Sequence, residues 1–232
     1  MYRAILASIA AVLSLPAAAA ETMRAVVIGA GGSLKIEQVA KPEPKAGEIR
    51  VKVRAASVNP VDWKIGMRAD PAARLVPGRD LSGVVDAVGP DTQGFKVGDA
   101  VIAIAPGGSY AEYAAMPAKI AAPKPTKMSF EQAAGIGVVG QTAYRAILTV
   151  ANVQKGQRVL IHGGAGGVGS SAVQIAKARG AHVIATASPR NHDFLRKLGA
   201  DEVIEYNTTK FEDKVNNADV VVNTVDLDTG TR

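Results

Sequence analysis

The sequence predicts an α/β chain in two parts: a β-rich front domain of barrel or sandwich type, then a parallel sheet wound with helices. Three observations carry this. Up to about residue 126 the apolar runs are short and β-branched, with Gly and Pro between them, the rhythm of strands joined by turns. Beyond that point apolar runs alternate with helix-compatible stretches, which calls for right-handed crossovers and a parallel sheet. Within the second part a glycine-rich turn, Gly164-Ala165-Gly166-Gly167-Val168-Gly169, separates its first strand from the helix that follows.

The elements follow in chain order. Residues 1–20 read as a secretory signal: Arg3, an apolar run over 4–15, Pro16, then Ala18-x-Ala20 before Glu21. The run is too short to span a bilayer. The alternative is a start at Met23. The first origin places the protein in the periplasm or outside the cell, the second in the cytoplasm. The front domain, 22–126, contains strands at Ala25-Val26-Val27-Ile28, Ile49-Arg50-Val51-Lys52-Val53, Val84-Val85-Asp86-Ala87-Val88 and Val101-Ile102-Ala103-Ile104. Pro117, Pro123 and Pro125 mark its end. The second domain, 127–232, opens with Ser129 as an N-cap and helix-compatible sequence to Leu148, interrupted at Gly135, Gly137 and Gly140. Then come a buried strand, Arg158-Val159-Leu160-Ile161-His162, the glycine turn, a helix over 168–179 stopped by Gly180, a strand over 181–187, a helix over 190–198 stopped by Gly199, and strands at Val203-Ile204-Glu205 and 219–222.

Composition removes several functions. The chain has no cysteine, so disulfides, thiolate zinc sites, iron–sulfur clusters and a cysteine nucleophile are absent together. The net charge of +6 comes from scattered residues without a Lys/Arg run. This is solvated surface, not a nucleic-acid patch.

The glycine turn carries the chemistry. A G-x-G-x-x-G pattern alone is weak, but after a strand and before a helix it marks a dinucleotide site. Gly164 serves the tight turn, Gly166 the approach of a pyrophosphate, and Gly169 close helix–strand packing. Gly167 and Val168 open the helix, whose free N–H groups and dipole favour phosphate. An NAD site ends its second strand in Asp or Glu to hold the ribose 2′-hydroxyl. Here the chain reads Thr186-Ala187-Ser188-Pro189-Arg190. Ser188 and Arg190 suit a 2′-phosphate, so the expected cofactor is NADPH. Arg190 serves equally as the start of an exposed helix.

Several segments now bear a resemblance. Gly47-Glu48-Ile49-Arg50-Val51-Lys52-Val53-Arg54-Ala55-Ala56-Ser57-Val58-Asn59-Pro60-Val61-Asp62, Gly78-Arg79-Asp80-Leu81-Ser82-Gly83, Gly140-Gln141-Thr142-Ala143-Tyr144 and Leu198-Gly199-Ala200-Asp201-Glu202-Val203-Ile204-Glu205-Tyr206 resemble the quinone-reductase branch of the medium-chain dehydrogenase/reductases. The resemblance runs from Met23 to about Asp226. It implies a GroES-like β-barrel followed by a Rossmann doubly wound sheet, and hydride transfer from NADPH to a quinone or α,β-unsaturated carbonyl. Zinc-dependent relatives carry Cys and His where this chain has Asn59 and Arg79, so the resemblance implies no metal. It places Asn59, whose amide would bond a substrate or cofactor oxygen, and Thr142 beside the nicotinamide. Tyr206 falls near the adenosine phosphate, and Asn223, more loosely, near the nicotinamide end. It also implies a homodimer, without nucleic acid or stable membrane insertion. Asn59 and Thr142 have a plainer reading as local backbone caps. Asp62 and Asp80 are as readily structural as functional, and Trp63 is packing or pocket wall. The chain stops at Arg232, soon after Asn223, so the doubly wound sheet is expected to be incomplete, with little more than its first half.

Two rivals remain open. Gly163-x-x-x-Gly167-x-Gly169 with Tyr206-x-x-x-Lys210 imitates a short-chain dehydrogenase, but there the glycine motif opens the chain. A non-catalytic nucleotide-binding or interaction protein is the other, favoured by the short second domain and by an export signal that leads away from the cell's NADPH. No G-x-S-x-G occurs for a serine hydrolase.

Overall fold

The front part is built on alternation. In the computed structural model, which describes residues 20–29, 32–66 and 75–225, β1 (Thr22–Ile28) and β2 (Leu34–Ala40) form an antiparallel hairpin. A five-stranded antiparallel sheet follows, in the order β6-β3-β4-β5-β7. Its strands are β3 (Glu48–Ala56), β4 (Asp80–Val88), β5 (Ala100–Ile104), β6 (Tyr113–Pro117) and β7 (Ala121–Pro123). The hairpin joins it through a bridge between Ala25 and Ala111. Ile49, Val51, Leu81, Val85, Val101, Ala114 and Met116 fill its core. Two register shifts along β3 bend the sheet. At Gly83 a Cβ would overlap the Lys52 carbonyl, so β4 approaches β3 as closely as it does only with glycine there.

A short helix, α1 (Pro60–Gly66), leaves the end of β3. The expected helix after Ser129 forms in pieces. Ser129 and Gln132 make a reciprocal capping box on α2 (Phe130–Ala134). The chain breaks at Gly135 and Ile136, resumes as α3 (Gly137–Tyr144), and widens into a π-helical turn over Arg145–Val150. Gly140 lies inside α3 without interrupting it. α2 packs on β3 and β4 of the front sheet, with Ser82 Oγ donating to the Phe130 carbonyl at 2.5 Å.

The second sheet is parallel, in the order β10-β9-β8-β11. It comprises β8 (Arg158–His162), β9 (His182–Ala187), β10 (Glu202–Glu205) and β11 (Val220–Asn223). The chain enters at β8, steps outward through β9 and β10, then returns to the other side of β8. This is a GroES-like domain followed by a Rossmann-like parallel sheet. α4 (Gly167–Ala178) buries Gly169, Ala172, Val173 and Ala176, an i, i+3, i+4, i+7 face, against Val159, Ile161, Val183 and Ala185. α5 (His192–Leu198) adds Leu195 to the same core and ends at Gly199, whose φ of 107° gives a left-handed cap. The opposite face, with Leu160, Ile184 and Ile204, is covered by Phe211, Val215 and Ala218. Residues 1–19 of the expected signal and the last residues of the second domain lie outside the described residues. Among the described residues no helix is long and apolar enough to cross a membrane.

Candidate functional site

The carboxyl ends of β8 and β9 converge on the glycine turn. Gly163 N donates to Thr186 Oγ1 at 3.2 Å, Gly164 N to the Thr186 carbonyl at 3.0 Å, and Gly166 N to the Gly163 carbonyl at 2.9 Å. From the β11 side, Thr224 Oγ1 donates to the His162 carbonyl at 2.7 Å. The turn is thus fixed from both neighbouring strands. Its left-handed residue is Gly163, with φ 68°, and not Gly164, to which the sequence pattern assigned the tight bend. Gly164 instead packs: a Cβ there would stand 2.9 Å from Ala185 Cβ. Gly169 has the expected role, since a Cβ would run into the Gly163 carbonyl.

α4 starts from Gly166 in extended conformation with no side-chain cap. The first-turn N–H groups of an α-helix have no intrahelical acceptor. α2 answers this with Ser129; α4 leaves its donors, among them those of Gly167 and Val168, for a ligand. A Cβ on Gly166 would meet only the Gly163 carbonyl, at 3.3 Å, so the outer side of the turn is open. A dinucleotide pyrophosphate fits such a cradle.

Beyond β9, Ser188 accepts a hydrogen bond from Asn191 Nδ2 at 3.2 Å. Arg190 is exposed in a 3₁₀ turn over Pro189–Asn191. The next carboxylate, Asp193, is exposed and pairs with Arg196 at 3.2 Å. Tyr206, also exposed, lines a cavity of about 590 Å³ at the carboxyl ends of the strands, with His162, Gly163, Thr186, Lys210 and Phe211. Asn223 ends β11, its Oδ1 accepting from Val225 N at 3.0 Å. Gly163, which leads into the glycine turn, and Tyr206 therefore share one cleft, at the carboxyl ends of the strands. Gly164, Gly166, Gly167, Val168 and Gly169 lie outside its lining, as do Ser188 and Arg190.

Asn59 and Thr142 lie at the seam between the two sheets. Asn59 is buried, and its Nδ2 bonds Asp80 Oδ2 at 2.9 Å and Ser57 Oγ at 3.0 Å. Its backbone N donates to Asp62 Oδ2 at 2.8 Å, which also accepts from Tyr110 OH at 2.7 Å. Burial, and next the bond to Asp62, push the Tyr110 phenol well above its ordinary range. Thr142 Oγ1 donates to the Val138 carbonyl one turn back, at 2.7 Å, and Val138 N donates to Asp80 Oδ1 at 2.8 Å. The two residues are linked through Asp80 and α3 rather than by direct contact. Trp63 is 55% exposed, with Lys64 Nζ 5.7 Å from its ring centre. Reasoning from sequence missed Ser57, Thr186 and the joining role of Asp80. Each stood in a segment already singled out, 47–62, 186–190 and 78–83, but nothing in those segments names its hydrogen-bond partner.

Comparisons with known proteins agree with this architecture. Residues 45–126 match the family described as "Alcohol dehydrogenase GroES-like domain", and residues 167–229 the one described as "Zinc-binding dehydrogenase". The chain is 40% identical over 207 residues to a chloroplastic quinone-oxidoreductase homolog from Spinacia oleracea, covering 82% of this chain and 63% of that relative's length. It is 39% identical over 203 residues to the trans-enoyl reductase ACTTS2 of Alternaria alternata, covering 80% of this chain and 59% of the relative. The solved quinone oxidoreductase from Coxiella burnetii superposes with a TM-score of 0.83 at 37% identity, over 90% of this chain and 71% of that one. Two family matches in the right order, with a solved structure matched over most of its length, establish that the chain belongs to the medium-chain dehydrogenase/reductase superfamily.

Proposed function

We propose that this chain forms the substrate- and cofactor-binding part of an NADPH-dependent oxidoreductase that delivers hydride to a quinone or an α,β-unsaturated carbonyl without zinc. The observation that carries the reading is the uncapped start of α4 on a turn pinned by Thr186. When bound, NADPH supplies the hydride. The protein's part is to bind and orient. Gly164, Gly166, Gly167, Val168 and Gly169 form the pyrophosphate cradle. Ser188 and Arg190 stand where a 2′-phosphate would lie, and no carboxylate at the end of β9 competes with it. Tyr206 borders the adenosine side, and Asn59, Thr142 and Asn223 the nicotinamide side. Zinc-free chemistry is supported by Asn59 and Arg79 at the ligand positions and by a chain without cysteine. Conjugated acceptors need positioning and a donor rather than a Lewis acid. The same reading takes residues 1–20 as a removed export signal, the division at 126/127 as the domain boundary and the working form as a homodimer.

Calorimetric titration of residues 21–232 with NADPH and NADH tests the cofactor. NADPH should bind at least about tenfold more tightly, with the difference lost in Arg190→Ala, because a charge-assisted bond contributes about 1.5–3 kcal/mol. Equal affinities would sink the NADPH assignment. A second reading, nucleotide binding without turnover, is favoured by one observation: Thr142 Oγ1 and both N–H groups of Asn59 are engaged within the protein. Quinone-dependent oxidation of NADPH separates the two, since only the enzyme performs it.

A further inference from the structure

Asp80 opens β4 and is 1% exposed. Its carboxylate accepts three hydrogen bonds from two separate stretches of chain. Oδ2 takes Ser57 Oγ at 2.7 Å and Asn59 Nδ2 at 2.9 Å; Oδ1 takes Val138 N, at the start of α3, at 2.8 Å. The second N–H of Asn59 points to Ser57 Oγ at 3.0 Å. A carboxylate only accepts, and Ser57 directs its one O–H to Asp80. The atom of Asn59 that faces this cluster must therefore be nitrogen. Its Oδ1 is the amide atom outside this cluster.

We infer that Asp80 is a positioning residue that sets the polarity of Asn59. By holding both N–H groups inward, it makes Asn59 present an acceptor oxygen to a ligand between the two units. Asn59 then bonds a hydroxyl or N–H donor of that ligand and not a carbonyl oxygen, which inverts the role that the resemblance suggested. The same carboxylate fixes the first turn of α3, so ligand-facing polarity and the seam between the units depend on one side chain. This rests on the reading of Asn59 as a site residue under the proposed function.

Exchanging amide and carboxylate between the two positions tests this polarity. In Asp80→Asn the side chain has one acceptor and one NH₂. Keeping the acceptor on Val138 N turns the NH₂ toward Asn59, which must flip and point its own NH₂ outward. Asn59→Asp alone sets two carboxylates side by side. The double exchange, Asp80→Asn with Asn59→Asp, restores an outward acceptor, because the amide now at position 80 donates to the carboxylate now at position 59. The full chain is labelled with ¹³C and ¹⁵N, and the Asn59 side-chain signal is assigned by through-bond correlation to its own backbone. Its NH₂ protons should exchange slowly with water in the wild type and rapidly in Asp80→Asn. NADPH affinity should fall about tenfold in each single variant and return to within about threefold of wild type in the double. An Asn59 NH₂ that exchanges in the wild type as fast as a surface asparagine overturns the inference, as does a double variant no better than its two singles combined. The wild-type exchange measurement stands even if a variant fails to fold. A wild-type chain that binds neither nicotinamide cofactor overturns the functional reading instead, and the exchange rates then decide the polarity of Asn59 by themselves.

Discussion

At Gly169, α4 crosses the strand it follows at a distance only glycine permits. A Cβ there would overlap the Gly163 carbonyl and stand 2.8 Å from Gly164 Cα. Both neighbours are backbone, so neither can swing aside. Gly169→Ala is expected to lift the helix from the turn, losing about 1–3 kcal/mol of stability and most of the NADPH affinity. Urea unfolding and the cofactor titration check both. An unaltered midpoint would mean the crossing tolerates a methyl group. The close packing at this residue was legible from spacing alone, whereas the tight bend expected at Gly164 falls on Gly163. Gly163 was harder to read, because Gly163-Gly164-Ala165-Gly166-Gly167 offers two overlapping registers and only the backbone angle chooses between them. Asp80 was not legible as a junction. Its partners lie 21 and 58 residues away in sequence, and no local pattern records so distant a bond.

Asp201, between α5 and β10, ties that turn to α4 and β9: its Oδ1 accepts from Lys177 Nζ at 2.6 Å and its Oδ2 from Val183 N at 2.8 Å. Burial alone would raise this carboxyl. The Lys177 and Val183 bonds outweigh it and hold the group below its ordinary 3.8. A depressed folded value contributes stability that is present above the unfolded value and lost as pH falls through the folded one. Asp201→Asn should therefore cost about 1–3 kcal/mol at pH 7 and progressively less below about pH 4, measured by urea unfolding at both pH values. A difference that persists unchanged at pH 2 would assign the loss to packing rather than charge. At this scale the sequence was readable where burial on both faces gave continuous apolar runs, as in β8 and β9, or where a cap marked a start, as at Ser129. It was not readable at β6, which is alanine-rich and closes on Pro117, a residue tolerated there because β6 lies at the sheet edge. α1 escaped as well, being too short for a helical period to show.

Beside the β1–β2 hairpin, the described residues form two larger sheets of opposite construction, one antiparallel and one parallel, and the order β10-β9-β8-β11 of the second leaves β8 and β9 in the middle. Central strands open only with the whole unit, whereas flanking ones open locally. β11 pairs with β8 alone in this order, and its Val221 is 50% exposed. Amide exchange should therefore be faster in β11 than in β8 and β9. Uniform protection across all four strands would mean that β11 is covered in solution by something outside the described residues. The division into a β-rich and a parallel part was readable because apolar runs spaced by Gly and Pro give way to runs that alternate with helix-compatible stretches; the seam was not, because its bonds, such as Val138 N to Asp80 Oδ1 and Ser82 Oγ to the Phe130 carbonyl, join residues far apart in sequence. That seam bears on modularity. A Cβ on Gly137 would overlap Asp80 Oδ1, so the bare backbone at 137 and the carboxylate at 80 are a lock and its key cut on different halves of the chain. In a chimera that exchanges front halves between relatives, the two positions have to be inherited together, however well the rest of the surfaces match.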